Sequence, residues 1–68
     1  MQIVISGYGE ASVTPTTNPR IAIFNGGDRN WRTVAKDDLD EWAITGPPYA
    51  TKGEAFIFAR EVERMYFG

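Results

Sequence analysis

Sixty-eight residues give room for one domain, spanning 1–68, and a domain of that size buries only about 60% of the surface its unfolded chain exposes, so nearly every large apolar residue is needed for a core. The absence of cysteine excludes a disulfide staple and thiolate metal ligation, and the absence of histidine removes the commonest metal ligand and the usual general base. Nine acids against seven bases, a net charge of −2, argue against direct binding of nucleic acid, which calls for a basic excess to neutralise phosphates.

In chain order, Gln2-Ile3-Val4-Ile5-Ser6 is a β-branched run that reads as a strand and is far too short for a signal peptide or a membrane span. Gly7-Tyr8-Gly9-Glu10 is turn-prone and leads to Ala11-Ser12-Val13-Thr14, a weaker strand with period two. Two prolines and an asparagine make Thr14-Pro15-Thr16-Thr17-Asn18-Pro19 the most loop-like stretch of the chain. Arg20 to Phe24 reads as a strand that alternates Ile21 and Ile23 on one face with Ala22 and Phe24 on the other. The glycines of Asn25-Gly26-Gly27-Asp28-Arg29-Asn30 supply the positive φ angles of a tight turn, after which Trp31-Arg32-Thr33-Val34 pairs back as a hairpin strand.

Residues 35–43 carry two readings. As a short helix they place Ala35, Leu39, Trp42 and Ala43 on one face and spread Asp37, Asp38, Asp40 and Glu41 over the other, and the charge segregation favours this reading. As a loop followed by a strand they send Trp42 and Ile44 one way and Ala43 and Thr45 the other. Gly46-Pro47-Pro48 is expected to end whichever element precedes it. Thr51-Lys52-Gly53-Glu54 is a capping box and starts a helix from about residue 52 to about residue 67, with Phe58, Ala59, Val62, Met65 and Tyr66 as its apolar stripe. The fold expected is therefore α+β: a small antiparallel sheet of three to four strands with the C-terminal helix packed on one face, and, on the helical reading of 35–43, a second short helix.

The glycine pairs lack the strand-to-helix context of a phosphate-binding loop, so a turn role is expected of them. The carboxylates Asp37, Asp38, Asp40 and Glu41 have neither the glycine nor the spacing of a calcium loop, which leaves a solvated face or a protein-binding patch whose carboxylates meet lysine and arginine. Trp31 and Trp42 are most simply core. Phe56, Ile57 and Phe67 fall off the helical stripe, near Arg60 and Glu63; either loops wrap the helix there or an apolar patch is exposed, and such a patch marks an interaction site or a homodimer seam. Arg20, Arg29 and Arg32 interleave with Trp31 around one hairpin as in stacking platforms for single strands, against the acidity of the whole chain. No catalytic set, metal site or cofactor site is expected.

Two resemblances rest on these residues. Trp42-Ala43-Ile44 followed by Tyr49-Ala50-Thr51-Lys52-Gly53-Glu54-Ala55 and Ala59-Arg60 resembles the tail of small strand-then-helix bacterial domains, which imply no activity. The acid cluster Asp37-Asp38-Leu39-Asp40-Glu41, the exposed aromatics and the lack of histidine and cysteine are similar to the small acidic inhibitors of phages and mobile elements, among them the anti-CRISPR proteins. That resemblance implies a non-catalytic inhibitor in the cytoplasm of a bacterial host, with no membrane and no direct nucleic-acid contact. Its partner would be a host defence complex such as a CRISPR effector, met through Asp37, Asp38, Asp40 and Glu41 where DNA would otherwise bind. The competing expectation is a structural or adaptor module, homodimeric through Phe56, Ile57 and Phe67.

Overall fold

The computed structural model describes residues 1–27 and 29–66. Among them the elements follow as β1 (Gln2–Ile5), β2 (Gly9–Ser12), β3 (Thr14–Pro15), β4 (Ile21–Asn25), β5 (Trp31–Lys36), β6 (Trp42–Tyr49) and α1 (Lys52–Tyr66). The strands make one sheet in the order β2-β1-β6-β5-β4-β3, in which β1 and β6 run parallel and the other neighbours antiparallel. The class is α+β as expected. The sheet is larger than expected, six strands and mixed, and among the described residues α1 is the one helix, so the second short helix of the helical reading does not form.

The sheet has to curl. Laid flat, six strands at about 4.8 Å spacing would hold β2 and β3 roughly 24 Å apart, yet Ser12 and Thr14 are separated by Val13 alone, a reach of about 7 Å. The chain therefore crosses from one edge to the other at Val13, and the sheet closes into a half-barrel around Ile5, Val13, Ala22, Phe24, Val34 and Trp42. A second core lies on the outer face, where Ala55, Ala59 and Val62 of α1 pack on Ile21 and Ile23. β4 is thus covered on both sides, which is why four successive residues, Ile21 to Phe24, are buried. Their alternation between the two cores is the one the sequence predicts.

Thr14-Pro15 is an edge strand and not loop, since an edge tolerates the missing proline N–H. The loop proper begins at Thr16, whose hydroxyl lies 2.8 Å from the Ile21 carbonyl and accepts the Asn18 N–H, while the Asn18 side chain accepts the Arg20 N–H at 2.8 Å.

Residues 35–43 are not a helix. β5 runs through Lys36, a turn follows, and β6 begins at Trp42, with Ala35 opposite Ala43 and Lys36 opposite Trp42. At strand period Val34, Trp42 and Ile44 all turn into the half-barrel, a burial that the helical reading could not supply. Aspartate is also a poor helix-interior residue and a good turn residue. Nor do Gly46, Pro47 and Pro48 end β6. Between the pairs Thr33–Thr45 and Trp31–Tyr49, these three residues lie opposite Arg32 alone, in a bulge. β1 meets β6 only at Ile5–Trp42, so the outer edge of β6 beyond that point has no strand for the prolines to disrupt.

The N-cap half of the capping box forms as expected, the Glu54 N–H donating to Thr51 Oγ1 at 3.2 Å, a cap worth about 1 kcal/mol, while the Glu54 carboxylate meets the Thr51 hydroxyl at 3.0 Å. Thr33, buried between sheet and helix, donates its hydroxyl to the Ala55 carbonyl. Met65 and Tyr66 do not join the stripe. Both are exposed, and Tyr66 lines a groove beside the sheet.

Candidate protein-binding site

The four acidic residues expected to face away from a helix stand instead on the tip of the β5–β6 hairpin, and their roles divide. Asp37 builds the tip. Its Oδ1 accepts the N–H groups of Leu39 at 2.8 Å and Glu41 at 3.0 Å, while its own N–H donates to the Glu41 carbonyl and its carbonyl accepts the Asp40 N–H. This is the side-chain-to-backbone turn that makes aspartate favoured at such positions. Asp40 completes it with a φ of +63°, a left-handed conformation that aspartate tolerates better than most side chains.

Arg20, in the turn just before β4, buttresses the tip. Its Nη2 donates to the carbonyls of Lys36 at 3.2 Å and Asp37 at 2.9 Å and lies 3.6 Å from Asp38 Oδ1. Lys36 Nζ sits 3.4 Å from Asp40 Oδ1 and 6.0 Å from the centre of the Trp42 ring. Exposed pairs of this kind add little stability, so the shape of the tip rests on the Asp37 and Arg20 hydrogen bonds. Glu41 has no ion-pair partner among the described residues. At the apex Leu39 is 78% exposed, a large apolar side chain ringed by carboxylates.

Beside the tip, a groove of about 390 Å³ opens between the sheet and the end of α1. Ala35, Ala43 and Thr45 line its floor, Tyr66 one wall, and Asp37 and Asp38 the other.

The second expected surface is only partly there. Ile57 is exposed as foreseen, but Phe56 packs against the helix-side core and is half-buried, so it does not project freely; Phe67 lies outside the described residues. A groove of about 290 Å³ runs between Thr16 and Thr17 on one side and Phe56, Ile57, Arg60 and Glu63 on the other.

The basic residues around the β4–β5 hairpin do not converge. Arg20 is at the opposite end of the sheet, Arg32 lies over the Tyr8 ring, and Lys52 over both Trp31 and Phe56. Trp42 is core, as expected, and Trp31 is half-buried against the outer core. Among the described residues no group of three or more acidic side chains is placed to hold a metal ion, and no helix is long and apolar enough to cross a membrane.

Sequence reasoning picked out the acids but gave Leu39 and Ala43 to an apolar helix face and Arg20 to a stacking platform, and so missed their places at the tip and on the groove floor. The signal available for the tip was Asp-Asp-Leu-Asp itself, a turn pattern between two strands. Comparison with known protein families, with characterised proteins and with solved structures gives no match.

Proposed function

We propose that this protein acts by binding a protein partner through the acidic β5–β6 tip, as a non-catalytic inhibitor of a host defence complex. The observation that carries the reading is Leu39, an exposed apolar side chain on a tip that Asp37, Asp40 and Arg20 hold in a single shape. Folding gains nothing from presenting leucine there. An ordered apolar anchor ringed by charge suits a partner with an apolar pocket edged by lysine and arginine, with the carboxylates steering the approach. The similarity of the acid cluster to anti-CRISPR-type inhibitors makes a nucleic-acid-binding face of a nuclease complex the first partner to try.

The test separates the residues that build the tip from those that would touch a partner. Asp38→Lys with Glu41→Lys, and Leu39→Ala alone, leave Asp37 and Asp40 in place, so the fold should be unchanged by circular dichroism. Capture of a nuclease complex by the wild-type protein should weaken at least tenfold in each, more steeply at low salt for the charge variant. Unaltered capture by both would remove the tip from the interface.

The exposed Ile57 favours a second reading, an adaptor that self-associates through the outer face of α1. Here Ile57→Asp is the informative change, since Phe56 also serves the core. On the adaptor reading, sedimentation at micromolar concentration gives a dimer that Ile57→Asp converts to a monomer; on the tip reading both sediment as monomers.

A further inference from the structure

The helix covers only half of the face on which it lies. α1 rests on Ile21 and Ile23 of β4 and Thr33 of β5, and reaches β6 through Phe58, whose ring packs on Gly46 and Tyr49. On the rest of that face the described side chains are small or exposed. Ile5 and Trp42 point into the half-barrel, so their neighbours Val4 and Ala43 point to the helix side, and both are exposed, Val4 at 68%. Packed helices lie 8–10 Å apart and strands about 4.8 Å apart, so a second helix beside α1 would sit two strands over. Two strands over from β4 and β5 are β6 and β1, where the bare patch is.

The rim of this patch is acidic. Glu10 stands directly opposite Val4 on β2, Glu41 is next to Trp42 on the same face as Ala43, and Asp37 and Asp38 close the groove. Of the nearby cations, Arg20 also lines the groove and offsets Asp38, 3.6 Å away, and Lys36 turns toward the Trp42 ring and Asp40, so the acidic excess on this rim is that of Glu10, Asp37 and Glu41.

We infer that the bare half of this face, floored by Val4, Ala43 and Thr45, takes an amphipathic helix with basic flanks from the partner protein. This rests on the partner-binding reading above and names the element that the partner supplies. A second copy of this chain is the poorer occupant, because α1 carries three acids and three bases and has no basic excess to offer. A single helix buries less than the roughly 800 Å² per partner of a standard interface, so micromolar affinity is expected from this contact alone.

The probe is a synthetic 15-residue helix with leucines at i, i+3, i+4 and i+7 and lysines flanking them, titrated into the ¹⁵N-labelled full chain; its counterpart has glutamate for lysine. Saturable amide shifts at Val4, Ala43, Thr45 and Tyr66 are expected with the lysine peptide, at least tenfold weaker with the glutamate peptide. Val4→Lys, at an exposed position, and Ala43→Arg should each weaken the lysine peptide at least tenfold, and Val4→Lys decides the matter if Ala43→Arg does not fold. Shifts confined to residues 37–41 would overturn the helix-docking inference and leave the tip reading standing. Equal binding of the two peptides, or shifts centred on Ile57, would also overturn it. So would shifts of the Val4 and Ala43 amides on dilution without peptide, which would give the face to a second copy.

Discussion

Gly46→Ala is expected to cost about 3 kcal/mol and to lower the melting temperature by more than 10 °C, because two independent penalties fall on one position. Gly46 has a φ of +79°, where an L side chain costs about 1–2 kcal/mol. A Cβ built there also overlaps the Phe58 ring. That ring is half-buried, with the Tyr49 ring 5.5 Å away, so it can yield only by giving up packing, at a further cost of about 1–3 kcal/mol. A double-mutant cycle with Phe58→Leu separates the two: the smaller side chain should recover the overlap but not the backbone strain. Denaturant unfolding of the four proteins measures it. A loss below about 1 kcal/mol for Gly46→Ala would mean that the bulge relaxes and does not pin α1 to β6.

This position also shows where the sequence was legible and where it was not. Local signals read correctly. The β-branched run at Gln2–Ile5, the two-sided alternation from Ile21 to Phe24 and the Thr51–Glu54 capping box each depend on neighbours within a few residues, and each is realised. Features set by distant parts of the chain read wrongly. Whether Gly46-Pro47-Pro48 stops a strand depends on what lies beside β6, and β1 covers only its first residue. Pro15 is strand because it falls at an edge. The segment 35–43 showed helical charge segregation because a two-residue strand alternation broken by an aspartate turn happens to sort the same residues, and only the burial of Trp42 in a half-barrel decides between them. The candidate site was legible by composition and not by geometry: the acids were found, but Asp37 serves the loop and Leu39 became prominent only once the loop stood clear of the sheet.

Trp42→Ala is expected to abolish cooperative unfolding at 25 °C. Removing a buried tryptophan costs about 3–5 kcal/mol, and a chain of this length has only about 3–10 kcal/mol in all. Trp42 also stands at a junction. Its carbonyl accepts the Ser6 N–H, it makes the register pair that ties β1 to β6, and with Lys36 it ends the β5–β6 ladder at the base of the tip. Losing the ring empties the half-barrel where its two halves meet and releases the tip from its anchor. Trp42→Phe, which keeps an aromatic in the interior, should stay folded at a cost of about 2 kcal/mol. Trp31 remains as the fluorescence reporter in both variants, beside far-ultraviolet circular dichroism in urea. A Trp42→Ala protein that still unfolds cooperatively with less than about 1 kcal/mol lost would show that the curl does not depend on this ring. Set against Leu39→Ala, the pair orders function on structure. On the proposed reading, Leu39→Ala should lose the partner and keep the stability, Trp42→Ala should lose both, and Trp42→Phe should keep both, because a tip that bound by its shape would depend on the half-barrel core beneath it.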